Sequence, residues 1–210
     1  PSGSVQVPGM WNQVAQSVAA SSGLTISDST RLFAALNVAM ADAGISALAT
    51  AYDVQFWRPE TGIANGGDGL VDIDGNPSTV GDGGWAPLIS SPDFPEYVSL
   101  TGAFSGAAAA VLNQYAGSSY AFTLAGDIDG DGNGDLIRNF SGFAQASQDA
   151  AMSGVYAGTQ FGSSAIDGAS MGTQIGEDVT QNFFQNVPEP SGILLTMLGL
   201  GWFGARRRRA

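Results

Sequence analysis

The chain contains no cysteine, no histidine and no lysine in 210 residues. Without cysteine there is no disulfide, no thiolate metal site and no sulfur nucleophile. Without histidine there is no Ser-His-Asp triad, no imidazole base and no imidazole metal ligand. Any bound metal must therefore be hard and held by oxygen. Basic residues are equally scarce: the seven cations are all arginine, at positions 31, 58, 138 and 206–209. Up to residue 186, three arginines stand against 18 acidic residues, a balance of −15 that argues against nucleic acid as a partner. What is present is 44% hydrophobic residues, enough for one domain of ordinary size. The chain starts at Pro1, which points to a processed or truncated product.

Apolar positions at steps of three and four predict a helix over 10–22, stopped at Gly23. A second is expected to be N-capped by Ser27, to carry Leu32, Phe33, Leu36, Met40 and Ala43 on one face, and to end at Pro59. Residues 60–98, rich in Gly, Asp, Pro and Ser, are expected to form a long surface loop. Further helices fit 102–116, 139–153 and 164–185, so the expected fold class is an all-α bundle with long Gly/Asp-rich loops. Trp11, Trp57, Trp85 and Tyr97 are assigned to the core or a pocket wall.

Residues 94–112, FPEYVSLTGAFSGAAAAVL, run small residues into a helix start. Free backbone N–H groups and the helix dipole make such a place suitable for an oxyanion. No cation lies nearby in sequence. The last 24 residues, 187–210, form a separate module: Val187, Pro188, Glu189 and Pro190, then an apolar run over 193–205, then four arginines. At 13 residues the run is short of the roughly 20 that span a bilayer core as a helix. This module resembles the PEP-CTERM signal of Gram-negative bacteria. The resemblance implies export, transient membrane anchoring, processing near 187–190 by a membrane exosortase, and a place in the cell envelope or extracellular matrix.

The body resembles the bacterial branch of the vanadium-dependent haloperoxidases, relatives of the type 2 phosphatidic acid phosphatases. The resemblance rests on several blocks in order: MWNQVA, RLFAALNVAMADAGI, FWRP, DGNPST, W-x-PL, FPEY, FSGAAAAVL, SGVYAGTQF and DG-x-x-x-G-x-x-IG. It implies that 1–186 form a helical domain corresponding to the C-terminal part of the family domain. Family members hold vanadate or phosphate through K-x6-R, a Ser-Gly-His step and R-x5-H. Here those positions are Ala51 and Arg58; Ser99, Leu100 and Thr101; and Gly154 and Gln160. Only Arg58 and Ser99 match. A multiply charged oxyanion needs several cations and donors around it, and each lost charge contact is worth on the order of 1 to 4 kcal/mol. The resemblance therefore implies a family pocket that has lost catalysis and does not bind vanadate. Arg58 is expected to cap a helix end or pair with Glu60 or Glu96, unless it keeps its pocket role, and Ser99 to cap a helix.

Residues 126–137, GDIDGDGNGDLI, place Asp127, Asp129, Asp131, Asn133 and Asp135 at alternate positions with Gly132 at the turn. Alternate oxygens can wrap one Ca2+. Arg138 stands where an EF-hand would have its bidentate Glu. The function expected from these signals is an exported surface or matrix protein carrying a non-catalytic haloperoxidase-like domain. Its competitors are an active haloperoxidase or acid phosphatase relying on residues outside the chain, and a secreted binding module for an uncharged ligand.

Overall fold

In a computed structural model the described residues are 6–66, 79–126 and 136–184. They form helices α1 (Val7–Ser21), α2 (Ile26–Val54), α3 (Pro59–Asn65) and α4 (Leu100–Ala116). A hairpin of β1 (Phe122–Gly126) and β2 (Leu136–Phe140) follows, then α5 (Phe143–Tyr156) and α6 (Gly162–Asn182). The helical-bundle expectation holds, with a two-stranded ribbon added.

Helix α4 is the axis. Its sequence FSGAAAAVL is apolar on all sides, as a helix surrounded by others must be, and α1, α2, α5 and α6 all pack on it. Ala103, Ala107, Ala108, Val111 and Leu112 have no exposed surface. Helix α2 turns Leu32, Ala35, Leu36, Ala39, Met40, Ala43 and Ala47 inward at helical spacing. The stretch Ile26–Asn65 is long and apolar enough to cross a membrane by length and composition; within the bundle the inward face of α2 is part of the core.

The pairing of α4 with α6 depends on glycine. A Cβ at Gly172 would lie 2.0 Å from the Ala103 carbonyl oxygen, one at Gly106 2.2 Å from the Ala169 carbonyl oxygen, and one at Gly168 2.4 Å from the Ser99 carbonyl oxygen. Gly102 and Gly176 would meet backbone oxygens at 2.9 and 2.5 Å. Spaced four apart on both helices, these glycines line one stripe each and bring the two backbones together.

Several boundaries differ from expectation. Thr25, rather than Ser27, caps α2: its Oγ1 accepts from the Asp28 N–H at 3.1 Å. The helix ends at Val54, where Gln55 turns left-handed (φ 52°) and its N–H bonds the Ala51 carbonyl. Pro59 therefore begins α3 instead of ending α2, a position where its missing N–H costs nothing. The segment 60–98, expected as a surface loop, contains most of α3 and buries Glu96 and Val98. Residues 136–140, expected partly in a helix, pair with β1 because Phe122 and Phe140 stack across the ribbon and join Tyr120 and Phe143. The α5 helix then starts after Gly142, where Gln145 Oε1 accepts from both the N–H and the hydroxyl of Ser141.

Gly106→Ala and Gly172→Ala should each destabilise at or above the upper end of the about 1–3 kcal/mol typical of overpacking, because the obstruction is backbone. Gly162→Ala, with nothing within 4 Å of the added methyl, should be neutral or stabilising. Urea midpoints for the three variants check this.

Candidate functional site

Five of the seven family positions surround one cavity of about 330 Å3, between the 89–94 segment, the start of α4 and the end of α5. Arg58, Leu100, Thr101, Gly154 and Gln160 line it. Ser99 stands beside it through a hydrogen bond to Gln160. Ala51 does not line it; the residue is buried on α2.

Arg58 is 93% buried by its 7% exposure, yet it pairs with neither Glu60 nor Glu96: the ion pairs among the described residues are Arg31–Asp28 and Arg138–Asp149. Nor does its side chain cap α3, although its backbone occupies the N-cap. Instead Nε and Nη2 donate to the Phe94 carbonyl at 3.2 and 2.7 Å, and Nη1 donates to the Thr159 carbonyl at 2.8 Å. The guanidinium also lies 5.1 Å from the Phe94 ring centroid. Burial holds its pKa below the usual arginine value, while Glu96 and Glu60 pull it back up. The cation therefore works as a clamp between two loop segments.

Glu96 was not singled out from the sequence as a site residue, and its composition signal is weak: one acid in a Pro-rich loop. In the fold it is 1% exposed. Its Oε1 accepts the Phe161 N–H at 3.0 Å, at the entry to α6, and its Oε2 is buried without a partner. Burial raises its pKa above the ordinary carboxylate value, opposed by the Phe161 N–H, Ser164 and the Arg58 charge.

The remaining substitutions fit one another. Ser99 Oγ accepts the Gly102 N–H at 3.0 Å, capping α4, and its hydroxyl donates to Gln160 Oε1 at 2.9 Å. Gln160 lies back over residue 154, where a Cβ would sit 2.3 Å from that same Oε1. A small residue at 154 and an amide at 160 thus occupy together the place where the family pattern has an Arg and a His. Trp11 donates from Nε1 to Ser105 Oγ in the core; Trp85 packs on Gly158; Tyr97 donates to Asp167. Trp57 is 38% exposed.

This geometry and the sequence agree with the comparisons. Residues 31–188 match the VCPO second helical-bundle domain, and the chain belongs to that family, within the vanadium haloperoxidase superfamily. Vanadium chloroperoxidase of Curvularia inaequalis is 31% identical over 127 residues, 51% of this chain and 19% of the relative. A solved structure titled as the first bacterial vanadium-dependent iodoperoxidase superposes with TM-score 0.68 at 29% identity, covering 84% of this chain and 39% of that one. The chain thus spans about a fifth of the curated relative and two fifths of the solved neighbour.

The residues present do not fit vanadate. The one arginine on the cavity spends three N–H groups on carbonyl oxygens, and Ser99 spends its hydroxyl on a helix cap and an amide. No step through vanadate follows from them. Among the described residues there is also no cluster of three or more Asp or Glu placed to hold a metal ion. Asp127, Asp129, Asp131, Asn133 and Asp135 lie outside the described residues, as do Val187, Pro188, Glu189 and Pro190.

Glu96 sets a pH dependence. Its folded pKa is above its unfolded value, so between the two the folded state holds the extra proton and stability falls as pH rises. Subtracting the urea-midpoint profile of Glu96→Gln from that of the parent should leave a downward slope beginning near pH 4.5. A flat difference would place the unpaired oxygen in water.

Proposed function

We propose that this chain is a haloperoxidase-fold domain that has lost oxyanion catalysis and serves an exported protein at the cell surface or in its matrix. The observation that carries the loss is the coupled arrangement of Gly154, Gln160 and Ser99. It uses, within the protein, the groups that would otherwise face an anion. The relatives are named as vanadium chloroperoxidase and iodoperoxidase, and those activities need cations that this chain lacks at the matching positions. The coverage of the relatives also supports a second reading, an active enzyme whose cations come from outside the 210 residues.

Vanadate-reconstituted bromide oxidation, with phosphate-ester hydrolysis in parallel, separates the two on the longest native form. No activity above blank is expected. Activity that disappears in Arg58→Ala would establish the second reading instead.

Export and processing rest on the Pro-Glu-Pro, apolar and Arg-rich order of 187–210, and calcium binding on the spacing of 127–135. In that reading an exosortase-type enzyme removes the Arg cluster and Ca2+ neutralises the clustered carboxylates of the loop. The mature protein from its native host should have an intact mass that stops short of Arg206. Millimolar Ca2+ should raise the melting temperature of that form, and Asp129→Ala should cancel the rise.

A further inference from the structure

The cavity at the family's oxyanion position is not filled by the substitutions. About 330 Å3 remains, at the lower end of the about 300–1,000 Å3 usual for small-molecule sites. Its polar lining includes Ser90, Thr101, Ser153 and Gln160; its apolar lining includes Phe94 and Leu100. The Thr101 hydroxyl and the Gln160 Nε2 have no hydrogen-bond partner among the described residues; Gln160 is engaged through Oε1. Ser153 donates to the Ala150 carbonyl at 2.6 Å and keeps its oxygen as an acceptor. Arg58 retains one N–H on each terminal nitrogen after its three bonds.

The charge of a suitable ligand is constrained from both sides. Arg58 is opposed by Glu96 and Glu60 within electrostatic reach, and the body around it carries −15, which repels anions from the approach. Among the described residues no carboxylate lines the cavity, so an organic cation would find no counter-charge from them there. A neutral molecule meets neither penalty. Hydroxyl and amide groups that both donate and accept are best matched by ligand hydroxyls, and Phe94 and Leu100 suit the C–H face of a small ring.

We propose that this cavity binds a neutral, hydroxyl-rich small molecule of about monosaccharide size, held by Thr101, Ser153, Gln160 and the spare N–H groups of Arg58. The proposal rests on the reading that oxyanion binding at this position is lost. Leu100, which in the family pattern replaces the small residue of the Ser-Gly-His step, is here a wall for an apolar ligand face.

Sugars raise melting temperatures by exclusion from protein surfaces, so heat stability is the wrong readout. The experiment is a heteronuclear NMR titration of the full chain with a panel of methyl glycosides, and separately with inorganic phosphate and orthovanadate at the same concentrations. Saturable shifts confined to the Gln160 side-chain amide and the Thr101 and Gly154 backbone amides are expected with at least one glycoside. Thr101→Val, close in shape, should weaken that binding about tenfold, the upper range for one neutral hydrogen bond. Ser153→Ala gives an independent second variant. If no glycoside gives saturable shifts and the anions give none, the ligand inference is overturned while the loss of oxyanion binding stands. If phosphate or vanadate saturates the same amides, both fall.

Discussion

The close approach of α4 and α6 is the constraint on which the rest depends. Five glycines, at 102, 106, 168, 172 and 176, each leave room for backbone that a methyl group would strike within 3.0 Å. Each also carries a helix-propensity cost of about 1 kcal/mol relative to alanine. That cost is sustained because the two helices then share a continuous, small-residue seam through the middle of the bundle, against which α2 and α5 complete the core. Larger residues would push the helices apart, and the alanines of α4 would lose their contacts on every side.

The same seam positions the site. Ser99 begins α4 directly over Gly168, and its N–H bonds the Ser164 carbonyl of α6 at 3.1 Å. The first turn of α4, with Leu100 and Thr101, is therefore fixed relative to the first turn of α6. Glu96 adds a second tie, from the loop to the Phe161 N–H at the same end, and Arg58 a third, from α3 to the Phe94 and Thr159 carbonyls. These bonds bring together five chain segments around one cavity. Their geometry explains how an arginine can keep a family position while its bonds are turned to structure.

Much of this was legible beforehand. Helical periodicity located the five longer helices, and the ordered blocks from MWNQVA to DG-x-x-x-G-x-x-IG pointed to the family. The boundaries failed where local chemistry competes: Thr25 and Ser27 are both good cap types, and Thr25 takes the place because its Oγ1 accepts the Asp28 N–H three residues on while its carbonyl already accepts the Ser29 N–H. The ribbon was missed because five-residue strands carry little periodicity, and the stacking of Tyr120, Phe122, Phe140 and Phe143 is a tertiary fact. Glu96 enters the sequence reading only as a candidate ion-pair partner of Arg58, because nothing in sequence distinguishes a buried acid from the other 17 in the body. The complementarity of Gly154 and Gln160 was equally hidden. Read singly, each substitution is a loss; placed side by side, the amide needs the absent Cβ.

That complementarity bears on whether the pocket is a relic. A site decaying at random would leave unmatched groups, since each lost partner exposes the desolvation cost of the one that remains, about 1–3 kcal/mol for a buried polar group. Here Ser99 has lost a His-bearing neighbour in the family pattern and has gained the Gln160 amide oxygen at hydrogen-bond distance. Arg58 has lost its cationic companions and is satisfied by carbonyls. Among the described residues, the groups left without partners at the cavity are the Thr101 hydroxyl, the Gln160 amide nitrogen and two N–H groups of Arg58, all on residues that line it, while Glu96 Oε2 is buried without a partner. Ser99 and Arg58 bonded within the protein, beside the available Thr101 and Gln160 groups, are what the proposed change from charge to neutral hydrogen bonding requires.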